Sequence, residues 1–182
     1  MRNRNVLILT LNALFLALAL VLPFLTGQIA QIGSMLLPMH LPVLLCGFVC
    51  GWQSGLAVGL IAPILRSLLF GMPPLMPTAI AMSFELAAYG AAAGCLYHAL
   101  RKNKFRAVVT LAIAMLIGRA VWGLASLVLY SLFLQTPFTL ELFMGGAFLR
   151  AWPGILAQFV IIPLVVLALE RAKLIPLARN GR

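Results

Sequence analysis

The sequence predicts an all-α integral membrane bundle of six transmembrane helices, one domain over residues 1–182 with both termini cytoplasmic. Three observations carry this. Hydrophobic residues make up 64% of the chain and charged residues 9%, against about 45–50% and about 25% in soluble domains. Mean hydropathy is +1.12. The basic residues fall in clusters separated by pairs of apolar runs, which is the pattern of a multi-pass protein.

A helix needs about 20 apolar residues to cross roughly 30 Å of hydrocarbon. The predicted spans cover residues 6–26, 39–52, 55–70, 78–100, 107–134 and 146–170. The first run is too long for a signal-peptide core and no A-x-A site closes it, so it reads as a retained span. The second is short. Gly51-Trp52-Gln53-Ser54-Gly55 reads as a tight turn between the second and third spans. The segment from Gly71 to Pro77 reads as non-helical, because three prolines break it. Gly47, Gly51, Gly55 and Gly59 recur every four residues and read as hairpin packing around that turn. No internal repeat is visible, and the two halves differ in charge and proline placement, unlike an inverted-repeat transporter.

Charge orients the bundle. Arg2 and Arg4 precede the first span, Arg101, Lys102, Lys104 and Arg106 follow the fourth, and Arg171, Lys173, Arg179 and Arg182 follow the sixth. Six crossings put all of these on one side, leaving the opposite loops without Lys or Arg, so that side is cytoplasmic. The net charge of +10 is then mostly topology rather than a nucleic-acid footprint. A single chain obeying this rule fits a bacterial inner membrane and its lipid bilayer.

Several activities lose their chemistry here. The only acids are Glu85, Glu141 and Glu170, so Asp-rich Mg²⁺ motifs and Asp-based proton relays are missing. No G-x-x-x-x-G-K-[ST] run exists, so energised work would draw on another subunit. The serines, cysteines and His40 form no nucleophile elbow, and no Asp can orient a base, so no catalytic residue is assigned and no enzyme is expected. His40, Cys46, Cys50 and the outer-loop methionines could suggest Cu(I). Surplus arginine would repel a cation, so neither metal nor cofactor is expected.

Four charges remain inside the spans: Arg66, Glu85, Arg119 and Arg150. An arginine at the bilayer centre costs about 2.5–3.5 kcal/mol on insertion scales, so such residues face a cavity or each other. At about 1.5 Å per residue, Arg66 and Arg150 lie roughly 6 Å below the outer edge of their helices and Glu85 roughly 10 Å down. Arg119 falls near the middle of the fifth span. Plain readings are that the arginines snorkel to headgroups, or that Glu85 bridges one of them structurally. The sharper reading is an outward-facing pocket with a surplus charge of two. Such a pocket suits a small anion, since guanidinium grips carboxylate through paired hydrogen bonds. Arg66 and Arg150 are the expected carboxylate contacts, with Glu85 accepting hydroxyl or amide hydrogens or orienting an arginine. Arg119 is expected to be structural or coupling. Gln158, Asn12, Gln28, Gln31, Ser83 and Tyr89 are candidate neutral contacts, and Trp122 and Trp152 candidate apolar walls.

Ala13 and Ala17 place small residues one turn apart on the first helix, a spacing that admits close helix approach. Together with the stretch Met39–Gly51, the run Leu69–Thr78, and the groups Phe84-Glu85-Leu86 and Tyr89-Gly90, this pair gives the chain its likeness to a known family. It resembles the S component, the substrate-binding membrane subunit, of an energy-coupling factor (ECF) transporter, and looks like the pantothenate-type branch.

The resemblance implies a subunit that binds a vitamin from outside and delivers it inward by docking to a T subunit powered by two ATPase subunits. It implies Ala13 and Ala17 as the docking face, and lids between helices one and two and between helices three and four. His40, Met72 and Met76 would belong to those lids. Pantothenate, a monocarboxylate with hydroxyl and amide groups, is the best fit to such an Arg-rich pocket, with folate, whose two carboxylates could use the surplus charge of two, and biotin as the anionic alternatives. The alternative is a non-transporting scaffold subunit of cell-envelope machinery with the same helix layout.

Overall fold

The computed structural model describes residues 4–26, 35–100, 105–135 and 137–172. Arg2, Gln28, Gln31, Arg101, Lys102, Lys104, Lys173, Arg179 and Arg182 lie outside the described residues. Among the described residues every regular element is helical. They are α1 (Arg4–Val21), α2 (His40–Cys50), α3 (Trp52–Phe70), α4 (Ile80–Ala99), α5 (Arg106–Leu129), α6 (Leu140–Met144) and α7 (Trp152–Arg171). Five apolar stretches among the described residues are long enough to cross a membrane: Asn5–Leu25, Trp52–Phe70, Leu75–Ala99, Arg106–Phe133 and Trp152–Arg171.

The element at the second expected span is the 11-residue α2, which rises only about 16 Å. Its ends have local causes. Leu37 takes a left-handed φ of 51°, and the Leu37 carbonyl accepts the His40 amide, so the chain turns into the helix there. Gly51 ends it with φ 94°, a value that glycine adopts without a Cβ penalty. Ten residues of α2 are buried. A helix apolar on all sides belongs in a core rather than against lipid. By contrast, α1 exposes Val6, Leu9, Leu14, Leu18 and Val21.

Packing centres on α4, and glycine sets its distances. A Cβ on Gly55 would lie 2.5 Å from the Gly90 carbonyl oxygen and 2.8 Å from its Cα. A Cβ on Gly59 would lie 2.6 Å from the Ala87 amide nitrogen, and one on Gly94 2.5 Å from the Trp52 Cα. So α3 runs antiparallel to α4 with backbones in contact. Gly47 also abuts Gly90, and the Phe48 and Tyr97 rings meet edge to face at 4.9 Å, so α2 runs parallel to α4. The four-residue glycine period is therefore a packing signal, but its partner is α4. Gly51 alone makes the turn, and Gly55 already lies within α3.

Two further boundaries differ from the sequence expectation. After Gly71, in left-handed conformation, the chain is irregular only to Pro74, then makes a wide turn over Leu75–Ala79 that includes Pro77. Met76 within it is extended (φ −114°, ψ 135°), as a residue preceding proline prefers. The Met72–Pro73 and Met76–Pro77 bonds are cis. The expected sixth span begins late. Residues Gly145–Leu149 form a wide turn, Arg150 and Ala151 turn again, and α7 starts at Trp152 with proline in its first turn, where a missing N–H costs nothing.

At the end of the bundle that carries Arg106 and Arg171, three helices are tied together. Tyr97 and Arg106 both donate to Glu170 Oε1, and the Arg106 guanidinium lies 4.0 Å from the Tyr97 ring centroid.

Candidate functional site

A cavity of about 450 Å³ opens at the opposite end of the bundle. It occupies the space that the short α2 leaves beyond its first residue. His40, Glu85 and Arg119 line its deep part, and each is almost wholly buried. Arg119 Nη1 donates to Glu85 Oε1 at 2.8 Å. His40 Nε2 stands 3.5 Å from the same oxygen, outside hydrogen-bonding geometry. The Tyr89 ring backs His40 edge to face at 5.3 Å and lies against Gly118, where a Cβ would come within 2.9 Å of it.

The helices explain this convergence. Glu85 lies on the face of α4 that also carries Ala81, with Thr78 in the turn just before the helix. Arg119, Trp122 and Ser126 follow one face of α5 at three- and four-residue spacing, with Tyr130 just beyond; all of these line the cavity. The antiparallel contact of α4 and α5 brings the two faces together. Trp122 is held by neighbours, stacked on Phe143 at 6.0 Å and edge-on to Phe138 at 5.9 Å. Phe138 and Phe143, which lie outside the cavity lining, thus brace Trp122 from behind.

Arg66 enters from α3 and is 3% exposed. Its guanidinium lies 4.8 Å from the Phe24 ring centroid and 5.3 Å from that of Phe70, and it donates to the Leu20 carbonyl. Cation–π contact and a backbone acceptor hold it at the cavity wall. Arg150 lines the mouth and is exposed, because it sits in the turn before α7 rather than a turn inside a helix. Met72 lines the cavity from the segment after α3, beside Pro73 and Pro74.

Thus Arg66, Arg150, Glu85, His40 and Met72 come together. Trp152 and Gln158 do not. Trp152 is 57% exposed on the outside of α7. Gln158 is buried on α7 away from the cavity lining, and neither of its amide atoms has a hydrogen-bond partner. Asn12 accepts from Cys46 Sγ at 3.6 Å, and Ser83 Oγ returns to the Ala79 carbonyl at 2.8 Å. Met76 is exposed and does not line the cavity. Ala13 and Ala17 are exposed on α1. The sequence reading placed Arg119 at mid-helix, as the structure does, but set it apart from the other charges, and it did not name Thr78, Met82, Ser126 or Tyr130. The 119–122–126–130 spacing was the signal that could have found most of them. Among the described residues, no three His, Cys, Asp or Glu side chains converge in a metal-binding group.

Three arginines against one glutamate leave the lining with a surplus charge of two, counting histidine as neutral. Such a lining can hold an anion, and its apolar and thioether walls exclude water around it. No curated protein matches the sequence. The model of the family described as ECF transporter, substrate-specific component, matches residues 8–168. With nearly the whole chain matched and an apolar helical bundle built around a polar cavity, the chain belongs to the ECF transporter substrate-specific component family.

Proposed function

We propose that this chain binds a small anionic vitamin, pantothenate being the best candidate, and delivers it inward by docking to a T subunit powered by two ATPases. Family membership supplies the coarse frame: a multi-pass membrane subunit that works with T and ATPase modules on a small-molecule substrate. The observation that carries the finer reading is the cavity itself, which gathers Arg66, Arg119 and Arg150 around Glu85. Pantothenate offers one carboxylate for the surplus charge and hydroxyl and amide groups for the polar floor.

Orientation follows from charge. The cavity lies at the end remote from Arg106 and Arg171, and the positive-inside rule assigns that basic end to the cytoplasm. The cavity then opens outward, both termini are cytoplasmic, and α2 counts as the second of six crossings. Ala13 and Ala17, exposed on α1, are the docking face for the T subunit. His40 and Met72 close on the ligand with Arg66, Glu85 and Arg150. Nothing in the family match supports the scaffold alternative.

The test is binding by the purified chain. A thermal-shift panel of pantothenate, folate, biotin, riboflavin, thiamine and pyridoxine, confirmed by calorimetry, should give one strong anionic hit, since a ligand of the native state raises its melting point by mass action. Absence of any shift in folded protein, or a hit with cationic thiamine alone, overturns the proposal.

A further inference from the structure

We infer that the cavity accepts its ligand in one orientation, with an anionic group at the mouth and an uncharged amide- or ureide-type group on the floor. This rests on the proposed function above and narrows it to a class: monoanions whose far end carries a neutral carbonyl with N–H groups.

The lining segregates charge by depth. Arg150 is exposed at the mouth and Arg66 is buried at the wall, and no carboxylate neutralises either of them among the described residues. On the floor, Arg119 is already neutralised by Glu85 at 2.8 Å. The two ends therefore ask for different chemistry. A second anion on the floor would meet the Glu85 carboxylate and be repelled. Yet the floor is rich in hydrogen-bonding capacity that the protein does not use. Arg119 Nε and Nη2 and both ring nitrogens of His40 are buried without hydrogen-bond partners, His40 Nε2 standing 3.5 Å from Glu85 Oε1. Buried donors and acceptors left unpaired are costly, so a ligand group that satisfies them binds strongly there.

The pattern of those atoms selects the group. Arg119 Nε and Nη2 are adjacent donors on one planar fork, which suits a carbonyl oxygen. Each ring nitrogen of an imidazole either donates or accepts, so His40 can pair with the N–H or the carbonyl of an amide. Between floor and mouth, Met72, Met82 and Trp122 line the wall with apolar surface, which matches an alkyl spacer.

The experiment uses the full chain in detergent, with affinities from calorimetry. Biotin and lipoate share a pentanoate tail and differ in head, ureide against dithiolane. Pantothenate and panthenol share an amide and differ in carboxylate against alcohol. Suberate carries an anion at both ends. At least one of biotin and pantothenate should bind about tenfold or more tightly than lipoate and suberate, and pantothenate about tenfold or more tightly than panthenol, each gap being about one charge-assisted hydrogen bond. Arg119→Lys, which keeps a cation beside Glu85 but removes the fork, should shrink the head discrimination. Arg150→Gln should shrink the acid-over-alcohol discrimination.

Lipoate or suberate binding as tightly as the better amide-headed acid overturns the inference while leaving the proposed function standing. So does a reversed pattern in the two variants. If folded protein binds none of these acids, the inference falls together with the proposed function. The comparison of probes in the unaltered chain decides the matter even if a variant fails to fold.

Discussion

Gly90→Ala tests whether glycine contacts beneath the cavity set its shape. A Cβ on Gly90 would lie 2.7 Å from the Gly55 Cα, with the Gly55 carbonyl nearer still. Carbon atoms in ordinary contact stand about 3.5–4.0 Å apart. The α3 and α4 backbones must therefore separate by about 1 Å at this level, and no flexible side chain is there to yield instead. Overpacking of this kind costs about 1–3 kcal/mol. For a chain of this length, about 2–4 °C of melting temperature per kcal/mol converts that to a fall on the order of 2–12 °C. The effect reaches the site, because Glu85 lies five residues from Gly90 on α4 and Arg66 lies on α3. Ligand affinity should fall with stability. The assay is thermal unfolding in detergent followed by a thiol-reactive dye, since Cys46 and Cys50 are buried in the folded chain. Gly145→Ala is the control: its Cβ meets nothing within 4 Å, and its melting temperature should hold or rise slightly. A Gly90→Ala protein as stable and as ligand-competent as the parent would refute the argument that backbone contact fixes α3 against α4.

Five other outcomes are expected. Glu85→Gln leaves Arg119 buried without its counter-charge and should destabilise the fold by about 3–5 kcal/mol, seen as a lower melting point, while improving the relative binding of suberate over monoanions. Arg150→Ala should lower affinity for the carboxylate ligand by about tenfold to a hundredfold with little change in stability, measured by calorimetry; Arg66→Ala should lose affinity and stability together, because Arg66 also ties α3 to the Leu20 carbonyl. Glu170→Gln, at a carboxylate 36% exposed, should cost only about 0–1 kcal/mol in the same melting assay. Ala13→Leu with Ala17→Leu should leave melting and ligand binding of the solitary chain unchanged and abolish copurification with a T subunit, because both positions are exposed on α1.

The helical class was legible because composition alone excludes burying so much apolar surface in a soluble fold. Charges inside apolar runs pointed to the site, because only a cavity or a partner tolerates them. What escaped was the geometry between helices. Linear depth placed Arg150 inside a helix, but Gly145 and Gly146 begin a wide turn and Pro153 sets a new helix start, so the side chain reaches the mouth. Linear depth also set Arg119 apart, whereas antiparallel packing of α4 and α5 lays it against Glu85. Gln158 and Trp152 failed for a related reason: a polar or aromatic residue in a span declares that it needs an explanation, and the rotation of its helix decides which one. The glycine period was visible in the chain, but its partner Gly90 lies 31 positions beyond Gly59 and no local pattern links them.

The short α2 connects these features. A helix of full length at its position would carry its own backbone through the space where the cavity lies, since α2 meets Glu85 at its first residue and runs away from it. Ending the helix at His40 opens that space, and the segment Leu37–Met39 folds over its rim instead. Below His40 the opposite holds. Gly47, Gly55, Gly59, Gly90 and Gly94 bring α2, α3 and α4 together without intervening side chains, and the Tyr97–Glu170–Arg106 group ties the far end. The bundle is thus open on one side and closed by backbone contact on the other. A ligand on the floor cannot reach the far side between α3 and α4 unless those backbones part. Under the proposed function, release to the cytoplasm then requires either separation of the glycine contacts or reorientation of the whole bundle in the lipid. The likeness to S components implies reorientation, and the exposed apolar side chains of α1 are compatible with it. Cross-linking α3 to α4 through a cysteine pair placed near Gly59 and Leu86 separates the two: transport that survives the cross-link belongs to reorientation, and transport that stops belongs to parting of the helices.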